Sequence, residues 1–200
     1  MTDLEMVRQN GITLKSIKNQ TPEICLAAVK QDGWALQYVK YQTPEIILAA
    51  IEQNGYTVKF IKNRTPEIYL AAAERNGYVL QYIENQTPEV CLAAVRENGN
   101  ALTYVKKQTE EICLAAVNQT GWALKYVEEQ TQEICLTAVR QNGFTLQFIK
   151  NQTPETCLAA IKQDEFAVKF IREEFKFLSR SEFKDLTLEQ IQDKVPELFL

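Results

Sequence analysis

The chain has 200 residues, 46% of them hydrophobic, with a formal charge of −4 and no histidine. That acidic balance argues against general nucleic-acid binding, and no stretch approaches the roughly 20 apolar residues of a membrane span. Met1 to Gln9 carry acids and no apolar run, so nothing reads as a signal peptide, and a soluble, cytoplasmic protein is expected.

One register orders the sequence. Gly11, Gly33, Gly55, Gly77, Gly99, Gly121 and Gly143 lie 22 residues apart and are its only glycines, and threonine recurs on the same ruler from Thr21 to Thr153. A period of this length marks a repeat architecture. Residues 1–20 form a truncated first repeat, with Thr2 and Glu5 at capping-box spacing. Full repeats follow at 21–42, 43–64, 65–86, 87–108, 109–130, 131–152 and 153–174.

The repeat 21–42 serves as the type. Thr21 suits an N-cap, Pro22 the first helical position, and Glu23 the positive end of the helix dipole. A helix over Ile24–Gln31 then ends at Asp32-Gly33, where a left-handed glycine is expected. A second short helix over about Trp34–Tyr41 completes the repeat. At helical spacing Trp34, Ala35, Leu36, Tyr38 and Val39 share one wide apolar arc, as Ile24, Cys25, Leu26, Ala28 and Val29 do in the first helix. Such an arc fits a helix sandwiched between the repeats before and after it. The rival is a strand in the second half, because Tyr56 to Phe60 alternates; that would build a leucine-rich-repeat horseshoe. Alanines at 35, 101, 123 and 167 and the missing leucine-rich consensus favour helix pairs.

The expected architecture is therefore all-α: an α-solenoid of 22-residue helix-turn-helix repeats with terminal caps. An eight-repeat array spans 1–174 and a C-terminal helical cap spans 175–200. At roughly 9–10 Å per repeat the array would be elongated. In the tail, Thr187 and Gln190 can cap a helix through Val195, which Pro196 ends; a second reading makes Leu198-Phe199-Leu200 a docking peptide.

The pattern T-P-E-x-C-L-A-A-V-K-Q-N-G-x-A-L-x-Y-V, carried by Glu23–Val29 and Gly33–Val39, resembles a tandem repeat of uncharacterised bacterial and viral proteins, a domain of unknown function. The resemblance covers residues 3–174 and implies short paired helices. It brings no activity, cofactor or catalytic residue.

The residues speak against catalysis. Serines number three, no histidine exists to activate them, and no phosphate-binding glycine loop occurs. Cys25, Cys91, Cys113, Cys135 and Cys157 share a repeat position with Ile47 and Tyr69, so the position reads as an apolar slot and neither disulfides nor a metal site are expected. The ladder from Glu23 to Glu155 imitates the spacing of a glycosidase pair, but identical acids at identical helix starts read as dipole partners. No enzyme, cofactor or metal is expected.

Two features point to binding. Lys40, Lys59, Lys62, Lys106, Lys125, Lys150, Lys169 and Arg172, with Glu84 and Glu128 among them, would align into a basic stripe on the second helices. It reads either as a solvated face or as a surface for an acidic peptide or phosphorylated ligand. Nucleic acid is disfavoured because aromatics do not interleave on the exposed angles of an α-helix. Tyr69 in the Cys slot, Ala73 one turn on, Tyr78, and Asn100 in place of an aromatic mark a candidate mid-array pocket. The sequence thus suggests a non-enzymatic scaffold for a protein or peptide partner. The alternative is a sequestering protein for a small anionic ligand such as a nucleotide signal, in host–virus conflict.

Overall fold

A computed structural model describes residues 1–180, 183, 186–194 and 196. Each repeat pairs an α-helix with a 3-10 helix, and no strand occurs among the described residues. The chain divides into two compact units, Met1–Lys106 and Lys107–Leu200. The first holds α1 (Asp3–Gln9), α2 (Pro22–Gln31), α3 (Pro44–Gln53), α4 (Pro66–Ala73) and α5 (Pro88–Glu97). Between them run η1 (Gly11–Ser16), η2 (Gly33–Tyr38), η3 (Gly55–Phe60), η4 (Gly77–Tyr82) and η5 (Gly99–Tyr104). The second unit holds α6 (Glu110–Gln119), η6 (Gly121–Tyr126), α7 (Gln132–Gln141), η7 (Gly143–Phe148), α8 (Pro154–Gln163), η8 (Glu165–Phe170), η9 (Glu173–Ser179) and α9 (Leu188–Lys194). Within each unit, successive α-helices pack side by side in one layer and successive 3-10 helices in the other. The all-α repeat solenoid is therefore the observed fold class.

The α-helices start where the sequence places them. Thr21 Oγ1 accepts from Ile24 N–H, Pro22 opens the helix, and the same arrangement recurs at Thr43, Thr65 and Thr87. Their ends differ from expectation. No glycine has a positive φ. The chain turns instead at the preceding residue: Asp32 is extended (φ −147, ψ 109) and its carboxylate accepts from Trp34 N–H. This side-chain turn lets one Asx residue end the α-helix and cap the 3-10 helix. Glycine is needed for space. A Cβ on Gly11 would stand 2.3 Å from Ala28 O, and one on Gly77 would stand 2.3 Å from Ala94 O.

The second helix is 3-10 because six residues between two extended caps close more i→i+3 than i→i+4 bonds. Its threefold winding redistributes the arc expected of an α-helix. Ala35, Leu36 and Val39 are fully buried, but the ring position that follows glycine turns outward. Tyr56, Tyr78 and Trp122 are 52%, 38% and 39% exposed. The rings contact each other edge to face across repeats, as in Trp34–Phe60 (centroids 5.6 Å apart) and Trp122–Phe148 (5.6 Å).

In the tail, Phe177, Leu178, Phe183 and Ile191 are buried, and η9 and α9 both pack on α8. Thr187 and Gln190 form the expected reciprocal cap, with Thr187 N–H donating to Gln190 Oε1 at 2.8 Å. The α9 stretch Thr187-Leu-Glu-Gln-Ile reproduces the Thr-x-Glu-x-x opening of a repeat, with Ile191 in the Cys slot. Val195 and Leu198–Leu200, where the helix end and the docking peptide were expected, lie outside the described residues.

Candidate functional site

Consecutive repeats are tied by a residue that sequence reasoning overlooked, the glutamine that precedes every repeat's opening threonine except Thr65. Gln42 Nε2 donates to Leu36 O (3.1 Å) and to Phe60 O (2.9 Å) in the next repeat, while its Oε1 accepts from Lys62 N–H (2.8 Å). Gln20, Gln86, Gln108, Gln130 and Gln152 make the same forward pair of bonds. A second tie joins the glycines: Gly33 N–H donates to Gln53 Oε1 (2.7 Å) and Gly77 N–H to Glu97 Oε2 (2.6 Å). Gly11, Gly121 and Gly143 donate likewise to Gln31, Gln141 and Gln163. The signal was present as a 22-residue recurrence of Gln, but a polar residue in a loop reads as solvated.

The cysteine slot belongs to this network. Cys91 Sγ donates to Gln86 Oε1 (3.7 Å) and Cys113 Sγ to Gln108 Oε1 (3.4 Å). All five cysteines are free and buried. Burial pushes the Cys113 thiol up to about 11 and the Cys157 thiol up to about 12, so at neutral pH they are protonated packing groups rather than nucleophiles. No cluster of metal-ligand side chains occurs among the described residues. In the glutamate ladder, Glu67 is held below the usual carboxylate range by its own backbone N–H and the Thr65 hydroxyl, and Glu89 by its own N–H and Thr87. These are helix-start carboxylates bonded to their own first turn.

The eight basic residues are all exposed, and they do two different things. Five reach back one repeat and bind backbone carbonyls. Lys40 Nζ donates to Lys18 O (2.8 Å), Lys62 Nζ to Val39 O (2.7 Å), Lys106 Nζ to Glu84 O (2.9 Å) and Lys150 Nζ to Glu128 O (2.6 Å). Arg172 donates to Lys150 O. The other three lie over rings: Lys59 Nζ stands 4.5 Å from the Trp34 centroid, Lys125 Nζ 4.5 Å from Tyr126, and Lys169 Nζ 4.9 Å from Phe170. Because residues i and i+3 eclipse in a 3-10 helix, each of these lysines shares a face with the ring at the second position of its 3-10 helix: Tyr56 with Lys59, Trp122 with Lys125, Phe166 with Lys169. The aromatics do interleave with the cations, contrary to the expectation from an α-helical wheel.

The four residues of the candidate mid-array pocket are placed differently. Tyr69 lines a cavity of about 240 Å³ with Arg64, Pro66, Glu84, Asn85, Thr87 and Val90, without Ala73, Tyr78 or Asn100. Ala73 is fully buried and Tyr78 stacks edge to face on Tyr104. Asn100 N–H donates to Asn98 Oδ1, and Asn100 supplies no ring to the aromatic ladder. A larger cavity, about 450 Å³, lies against α7, α8 and the start of α9, with Arg140, Lys162, Gln163 and Thr187 on its wall.

A family model described as a domain of unknown function (DUF4116) matches residues 21–64, 65–108, 87–132, 109–152 and 131–176. The chain belongs to this repeat family. Comparison with curated proteins and with solved structures gave no match. No helix among the described residues is long and apolar enough to cross a membrane.

Proposed function

We propose that this family member is a non-enzymatic repeat scaffold that binds an acidic protein or peptide segment along its 3-10 helices. The reading rests on exposed rings that share a 3-10 face with a lysine, Tyr56 with Lys59, Trp122 with Lys125 and Phe166 with Lys169, while the three ammonium groups themselves lie over Trp34, Tyr126 and Phe170. Rings supply contact area at low entropy cost and lysines attract carboxylates, a combination suited to an extended acidic segment. The ring-stacked lysines are the ones to test, because the carbonyl-bound Lys40, Lys62, Lys106 and Lys150 also hold repeats together. Fluorescence anisotropy against Asp/Glu-rich peptides should show saturable binding that weakens with salt and is lost in the triple variant Lys59→Glu, Lys125→Glu, Lys169→Glu. Equal binding by the triple variant, or none by the native protein at low salt, would remove the reading.

A second reading, sequestration of a small anionic ligand such as a nucleotide, is favoured by the cavity that carries Arg140 and Lys162 against a single carboxylate, Glu155. Calorimetry against a nucleotide panel separates the two: heat that disappears in Arg140→Glu supports sequestration, and a flat titration eliminates it.

A further inference from the structure

The junction between repeats 43–64 and 65–86 lacks the ties that hold the others. Arg64 stands where glutamine ties the neighbouring repeats. Its Nε donates to Ile61 O (3.2 Å) and its Nη2 to Lys59 O (3.4 Å), both within its own repeat. An arginine has no acceptor to offer, so the Glu84 N–H, whose counterparts at Lys40, Lys62 and Lys106 bind glutamine Oε1, makes no hydrogen bond among the described residues. Three more exchanges coincide. Arg75 occupies the position from which Gln31, Gln53 and Glu97 accept a glycine N–H, and it pairs with Glu52 instead (2.7 Å). Glu84 replaces the lysine that would clasp the preceding carbonyls. Tyr69 replaces the cysteine that hydrogen-bonds the glutamine, and beside it the cavity of about 240 Å³ opens, with Arg64, Tyr69, Glu84 and Asn85 on its wall.

We infer that this junction is a carboxylate-binding site, in which a ligand oxygen takes the part of the missing glutamine Oε1. One carboxylate oxygen accepts from Glu84 N–H and the other from a remaining Nη–H of the Arg64 guanidinium, a charge-assisted hydrogen bond. The body of the ligand lies against Tyr69, Pro66 and Val90. Glu84 lines the same cavity, and its negative charge opposes a second one, so a single carboxylate is preferred over a phosphate dianion. The carboxylate can belong to a small free acid or to an acidic side chain of a peptide. This site is separate from the ring-and-lysine face and does not depend on it.

The test follows the Glu84 amide by two-dimensional NMR of the full chain during titration with acetate, inorganic phosphate, and a capped tripeptide bearing one Asp. The Glu84 resonance should shift saturably with acetate, while the glutamine-bonded Lys62 and Lys106 amides stay fixed. Equal affinity for acetate and peptide assigns the site to free acids, and a tighter peptide assigns it to a partner's side chain. Arg64→Gln restores the residue of the neighbouring repeats and should fold; it should abolish the acetate shift and raise the melting temperature. Arg64→Lys should weaken binding about tenfold, the value of one charge-assisted hydrogen bond. An unmoved Glu84 amide, a shift that survives Arg64→Gln, or a stronger response to phosphate than to acetate would overturn the inference.

Discussion

At the residue scale, packing is decided by a difference of about 20° per residue between two kinds of helix. An α-helical wheel buries the residue after each glycine; the 3-10 winding buries the second and third residues after it. Trp122 is 39% exposed, whereas Leu124 is fully buried. Leu124→Ala should therefore cost about 2–5 kcal/mol. Trp122→Ala should cost less, about 1–2 kcal/mol, because part of its ring stays in water and the rest is the edge contact with Phe148. Thermal or urea melts of the two variants would show the order, and a larger loss at Trp122 would mean the ring is the true anchor. The sequence could not settle this, since over six residues periods of 3.0 and 3.6 place most side chains within the same broad arc.

At the element scale, stability comes from side chains that complete the backbone hydrogen bonding of the neighbouring repeat. The short 3-10 helices leave carbonyls and N–H groups at their ends, and one glutamine answers one of each. Gln86→Leu keeps the volume but strands Tyr104 O, which is part-buried, and frees Lys106 N–H, which is exposed and can turn to water. The expected loss is about 1–3 kcal/mol in denaturant unfolding, the value of one unpaired buried acceptor, accompanied by faster hydrogen exchange at the Lys106 amide; unchanged exchange there would show that the tie carries no energy. The α-helix starts were legible because Thr, Pro and Glu act locally, each through its own first turn. The ties were not, because the glutamine acts 18 and 20 residues away, on backbone atoms that no residue identity reveals. The two fates of the lysines were hidden for the same reason: their partners are carbonyls and rings of another repeat.

At the scale of the whole molecule, the two compact units share one grammar of α-helix, Asx turn, 3-10 helix and glutamine. The tail closes the second unit with α9, whose Thr187 cap and buried Ile191 copy the start of a repeat after an inserted segment that carries η9. The period made the all-α repeat class legible from the sequence. Of the candidate pocket residues only Tyr69 reaches the cavity beside Arg64, and Arg64 was invisible while the glutamine it replaces had no assigned role.

The glutamine bonds also bear on how such a chain changes over evolutionary time. Each bond spans a fixed offset and contacts main-chain atoms, so it is indifferent to which side chains the adjoining module carries. Whole modules can then be duplicated, excised or shuffled by recombination without redesigning their borders. The border at Arg64 is the exception, having exchanged its generic fastening for a bespoke one, and a lineage that gains or loses modules should do so elsewhere.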